Sequence, residues 1–196
     1  METVPSTFDF FPHVRILMGA IVGLGMTRLL MTFAGIIQHA RPERRSSLHL
    51  LWLGSILLEL ILFWWWEVSL ADLPFWTFGT VLFVVLYAIT LFLLAAFLAP
   101  DNIAEYRGYE DFFIQRRHWF FGILGLTFVL DAIDTTIKGG FDADSFDWTL
   151  LAQVPFGIPM CIVGWYFANR SVQLSIVGID LLYQIYLIVY YFNFGY

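Results

Sequence analysis

Apolar residues dominate this chain in long unbroken runs, with polar residues gathered between them. A helix needs about 20 mostly apolar residues to cross a bilayer core about 30 Å thick. Six segments meet that length, at about Val14–Ile37, Leu48–Val68, Phe75–Leu98, Trp119–Ile137, Trp148–Ala168 and Val172–Phe192. The runs lack the strict alternation of a membrane β-barrel strand, and a backbone that must satisfy its own hydrogen bonds in lipid coils into a helix. The pattern therefore predicts an all-α, six-transmembrane-helix bundle. It forms a single polytopic domain over residues 1–196, because no connection is long enough to hold a second one.

Breaks fall where turn chemistry demands them. Pro42 sits among Arg41, Arg44 and Arg45, and Asp72 precedes Pro74. Gly139-Gly140 opens a loop that carries Asp142, Asp144 and Asp147, and Asn169-Arg170 is nearly the whole of the last connection. The longest connection, Pro100 to Arg117, mixes charges with aromatic rings and reads as a short interfacial helix lying in the headgroups.

Composition sharpens the class. Of 196 residues 60% are hydrophobic, 19% aromatic and only 13% charged, which is too little polar surface for a soluble sphere. Ten Lys+Arg against sixteen Asp+Glu give no basic face, so nucleic acid is not an expected partner. The single cysteine, Cys161, excludes a disulfide scaffold.

Positive residues orient a membrane chain because Lys and Arg stay on the cytoplasmic side. Arg41, Arg44, Arg45, Arg107, Arg116, Arg117 and Arg170 fall in odd-numbered loops, against Arg15 and Lys138 on the other side. Odd loops are thus expected in the cytoplasm and both termini outside. The segment before Val14 has no positive n-region and no small-residue cleavage site following a short apolar core, so the first span reads as an uncleaved helix. Trp64, Trp65, Trp66, Trp76 and Trp148 are expected at the outer boundary, with Trp52 and Trp119 at the inner one.

Charged residues inside spans carry the candidate chemistry, since each costs about 2.5–3.5 kcal/mol at a helix centre and usually has a partner or a task. These are Arg28, Glu59, Asp131, Asp134 and Asp180. Counting along the helices puts Arg28, Glu59 and Asp180 in one layer, where the guanidinium could hold a carboxylate. Thr127, Asp131, Asp134 and Lys138 share one face of the fourth span. Asp134 and Lys138 alternatively form an exposed i,i+4 pair at the membrane surface. A buried ion-pair staple and an ion pathway both remain open for the set. Gly19, Gly23 and Gly25 give the first span a face for close helix packing, within the chain or with a second subunit. His39, His49 and His118 gather at the predicted inner boundary as metal candidates, though without a recognised ligand spacing. No cofactor is expected.

The runs Gly23-Leu24-Gly25 to Arg28-Leu29-Leu30, Phe63-Trp64-Trp65-Trp66 and Arg116-Arg117-His118-Trp119-Phe120-Phe121 resemble a family of uncharacterised bacterial six-span integral membrane proteins. That resemblance implies a bacterial inner-membrane location and no particular activity. Three functions follow from the residues. The first is a channel or secondary transporter for protons or cations, acting as a homo-oligomer. The second is a scaffold subunit of a larger membrane complex. The third is a membrane-embedded enzyme acting on lipid or quinone.

Overall fold

The computed structural model describes residues 11–39, 45–73, 75–139 and 153–194. The aspartate loop, Trp148, the first arginines of the Pro42 turn and both chain ends lie outside the described residues. All regular structure described is helical: α1 (Phe11–His39), α2 (Ser47–Trp66), α3 (Phe78–Leu98), α4 (Tyr109–Gly139), α5 (Gln153–Tyr166) and α6 (Arg170–Phe194). Short 3₁₀ turns at Glu67–Asp72 and Ile103–Glu105 follow α2 and α3. Five stretches are long and apolar enough to cross a membrane: Phe11–Gln38, Ser47–Asp72, Phe78–Leu98, Tyr109–Lys138 and Arg170–Tyr191. At 14 residues, α5 covers about 21 Å at ~1.5 Å per residue and falls short of a full crossing by itself.

Helix ends follow local chemistry. The Ser46 hydroxyl accepts from the His49 amide at 3.3 Å and starts α2. Thr77 does the same for Thr80 at 3.1 Å ahead of α3. Asn169 accepts from the Ser171 amide at 2.8 Å and lets α6 begin almost where α5 ends. One expected element is absent: no separate interfacial helix precedes the fourth span. Instead α4 runs unbroken for 31 residues from Tyr109. Its first turns bury Tyr109, Phe112 and Phe113 against α2, so those rings are part of the core.

α2 is the hub and contacts α1, α3, α4 and α6. α1 lies mainly on α3, and α5 bridges α4 to α6. Trp52 was expected as a boundary anchor but is fully buried in α2. Its ring meets Phe120 at 4.7 Å, Phe121 at 5.6 Å and Phe113 at 6.0 Å. Trp64, Trp65 and Trp119 do lie at the surface. So do many large apolar residues, among them Ile16 at 72% exposure, Phe78 at 81% and Leu182 at 68%. An apolar surface this extensive is compatible with a membrane location and costly in water.

The tightest seam joins α4 to α5. A Cβ at Gly157 would lie 2.6 Å from the Phe128 ring, and one at Gly164 would overlap the Phe121 ring. On the facing helix, a Cβ at Gly122 would meet Trp165 at 3.0 Å. The expected packing face of α1 is only partly used within the chain. Gly25 faces Leu60 and Ala95 at 3.3 and 3.6 Å, Gly19 approaches Trp64 at 4.0 Å, and Gly23 meets nothing within 4 Å.

Gly164→Ala should therefore lower detergent-phase stability by about 1–3 kcal/mol, since overpacking against Phe121 outweighs the helix-propensity gain of about 1 kcal/mol. Gly178→Ala, where nothing lies within 4 Å, should leave the thermal midpoint unchanged or raise it.

Candidate functional site

Polar side chains converge on the interior face of α2. Three spacings of four residues build the site, because positions four apart share a helix face: Ser55 with Glu59 on α2, Asp180 with Gln184 on α6, and Asp134 with Lys138 on α4. The Ser55 hydroxyl donates to Asp180 Oδ2. The Gln184 amide reaches Glu59 Oε2 at 3.2 Å, Asp180 Oδ2 at 3.3 Å and Ser55 Oγ at 3.4 Å. Ser55, Asp180 and Gln184 are buried, and Glu59 is partly buried.

One level along, Asp131 accepts from the Tyr87 hydroxyl at 3.1 Å and from the Gln153 amide. Tyr87 comes from α3 and Gln153 from the start of α5; with Asp131 on α4, Glu59 on α2 and Gln184 on α6, five helices meet around this carboxylate and Glu59. Glu59 is within electrostatic reach of both Asp180 and Asp131. At the end of α2, Lys138 donates to Glu67 Oε1 at 2.9 Å and pairs with Asp134. Side-chain exposure in this triad is 13% for Lys138, 4% for Glu67 and 6% for Asp134, which makes it an interior feature. The Asp134–Lys138 pair is thus formed as expected but is not an exposed surface pair. Glu67, in the turn that follows α2, closes over it.

The result is a strip of five carboxylates running Glu67/Asp134, Asp131, Glu59, Asp180, with Lys138 at one end. Past Ser55 it stops. Trp52, Phe113, Phe120 and Phe121 fill the next level, and the buried His49 packs on Tyr109 at 5.3 Å and Phe112 at 5.9 Å.

Arg28 does not join this strip. Its guanidinium bonds Asp101 at 2.9 Å, with the two side chains 43% and 84% exposed. The single-layer expectation for Arg28, Glu59 and Asp180 is therefore corrected. Glu59 and Asp180 share Gln184, while the long arginine reaches the far end of α3. The long arginine stem lets the charged head reach a polar partner on another helix's end, as cationic side chains do when the stem lies on apolar surface. There Arg28 lines a cavity of about 440 Å³ of mixed polar and apolar lining, with Arg116, Glu105, Tyr106 and Phe97.

The three histidines are not seen together. His49 is enclosed by aromatic rings, His118 lies edge-on to Trp165 at 5.3 Å, and the His39 side chain is outside the described residues. Among the described residues no three His, Cys, Asp or Glu side chains are grouped to hold a metal. Sequence reasoning missed Glu67, Ser55, Tyr87, Gln153 and Gln184. The four-residue spacing to Glu59 and Asp180 would have found Ser55 and Gln184.

A second cavity, of about 400 Å³, opens between α4, α5 and α6. Asp180 and Gln153 lie on its wall, with Phe128, Phe156, Met160 and Ile179 as apolar lining.

Comparison with protein-family models, curated proteins and solved structures finds no match. The class that the fold defines is an all-α bundle with helices able to cross a membrane, and function rests on the geometry above.

Lys138→Met leaves Glu67 and Asp134 facing each other without their cation. Breaking a buried pair in this way costs about 3–5 kcal/mol, so thermal denaturation in detergent should show a markedly lower midpoint. Adding Glu67→Gln to Lys138→Met should recover a substantial part of the loss. A midpoint equal to wild type for Lys138→Met would mean that the triad is solvated.

Proposed function

We propose that this protein is a small secondary transporter that moves protons or cations along the interior carboxylate strip. The observation that carries the reading is the ordered series Glu67/Asp134, Asp131, Glu59 and Asp180, in which each level has hydrogen-bonding neighbours and, among the described residues, only Lys138 offsets the charge. Intramembrane carboxylates facing a bundle interior characterise proton and cation pathways. Five carboxylates against one lysine are a surplus that a staple made of ion pairs does not call for.

The aromatic level around Trp52 favours a carrier over an open channel. It blocks the strip at one end, so passage requires the bundle to rearrange and not merely to fill with water. In the proposed cycle the path would open at the Lys138 end, where the triad is buried but no aromatic level stands. In the proposed setting the chain spans the bacterial inner membrane six times. Its arginine-bearing end, with Arg45, Arg116, Arg117 and Arg170, faces the cytoplasm, and the Lys138 end and both termini face outward.

One observation favours a second reading, in which the chain is a homo-oligomer or a subunit of a larger complex. The Gly23 position on α1 is open, with nothing within 4 Å. A small-residue face of this kind suits close approach of another helix. Oligomer formation is compatible with transport, whereas a pure scaffold is not.

Reconstitution in liposomes separates them. A proton gradient should dissipate faster with wild-type protein than in empty liposomes, and Glu59→Gln should slow that component by about tenfold or more. No flux above empty liposomes under any imposed gradient would overturn transport. A stoichiometric foreign partner in a mild-detergent pull-down would then support the scaffold.

A further inference from the structure

The cavity between α4, α5 and α6 has an unusual wall. Its lining is mostly apolar, including the rings of Phe128 and Phe156, the Met160 thioether and the Ile179 side chain. Phe156 is 77% exposed and Ile179 59% exposed, so the mouth opens on the side of the bundle. In a chain that crosses a membrane, that side faces lipid. Asp180 stands at the back, where its side chain is buried. Both hydrogen bonds to Asp180, from Ser55 and Gln184, end on Oδ2. Among the described residues, Oδ1 accepts none and no cationic side chain pairs with it.

We infer that this cavity binds a lipophilic cation, with the charge against Asp180 Oδ1 and the apolar body among Phe128, Phe156, Met160 and Ile179. The volume of about 400 Å³ is that of a small-molecule site, and such sites combine an apolar lining with a few placed polar groups. An anion is disfavoured by the carboxylate. A neutral apolar guest would leave Asp180 desolvated without a counter-charge. Aromatic faces and a carboxylate together select positive charge. A lipid-facing mouth lets a membrane-dissolved cation enter without crossing the aromatic level at Trp52.

This site rests on the transport reading and names its substrate class. Asp180 belongs both to the strip, through Ser55 and Gln184, and to the cavity wall. Occupation of the cavity therefore bears directly on the carboxylate nearest the aromatic block. Substrate and proton would meet at one residue, which is the arrangement an exchanger requires.

The test is equilibrium binding to the full chain in nanodiscs, with empty nanodiscs subtracted. Tetraphenylphosphonium is the probe, and tetraphenylborate is its anionic counterpart of the same shape. Saturable binding is expected for the cation and not for the anion. Asp180→Asn should weaken cation binding about tenfold or more through loss of the charge. Ile179→Trp, at the exposed mouth, should weaken it while leaving the carboxylate in place. This second variant keeps the test decisive if Asp180→Asn does not fold.

Equal binding of both ions, or cation binding unaffected by both variants, would overturn the site. Absence of cation binding in a protein whose Glu59-dependent proton flux is intact would overturn the site and leave the proton path standing. Asp180-dependent cation binding without any proton flux would support the site and overturn the transport reading.

Discussion

Hydrocarbon cannot solvate a carboxylate, and that constraint organises the interior of this bundle. An isolated ionised group in a low-dielectric medium is so costly that it must be paired, hydrogen-bonded or protonated. Here the demand is met around one helix. α2 supplies Ser55 and Glu59, which take their partners Asp180 and Gln184 from α6, and Glu67 just past its end takes Lys138 from α4. Asp131 is satisfied beside them by Tyr87 of α3 and Gln153 of α5. α2 contacts α1, α3, α4 and α6, and its polar groups are what tie it to α6.

The same helix divides the interior into two chemistries. Beyond Ser55 the partners are rings, with Trp52 among Phe113, Phe120 and Phe121. Before it they are acids and amides. This division gives the proposed carrier its form, a polar path that enters from one end and an aromatic level that closes the other. The α4–α5 seam supports it mechanically. Gly157 and Gly164 let α5 approach the Phe128 and Phe121 rings closely, which brings Gln153 to Asp131 and leaves the lateral cavity beside Asp180.

Much of the fold was legible in the sequence, since hydrophobic run length reports lipid-crossing helices directly. Five expected spans correspond to long helices here, with ends shifted by a few residues where Ser46, Thr77 and Asn169 cap them. The largest difference, the unbroken α4, was hidden because Tyr109, Phe112 and Phe113 fit a headgroup location as well as a core; contact with α2 decides between them. The candidate acids were legible as charges in apolar runs. Their partners were less so, because uncharged Ser55, Tyr87, Gln153 and Gln184 do not stand out and their pairings are long-range. Arg28 was placed by depth alone, which ignores the reach of its side chain to Asp101. Glu67 was overlooked because it follows three tryptophans at a span end, where a carboxylate usually meets water.

The central claim is that the carboxylate strip communicates with one side of the membrane and is closed from the other by the aromatic level. Thiol accessibility tests it most directly. In a Cys161→Ser background, a cysteine replacing Ser55 is exposed to a membrane-impermeant thiol reagent from either side of sealed vesicles. A second cysteine replacing exposed Glu105 identifies the arginine-bearing side. The account predicts labelling at position 55 from the Lys138 side, slow labelling from the arginine-bearing side, and faster labelling from that second side once Phe120→Ala opens the aromatic level. Equal labelling from both sides in the protein with Phe120 intact, or no labelling from either, would contradict it.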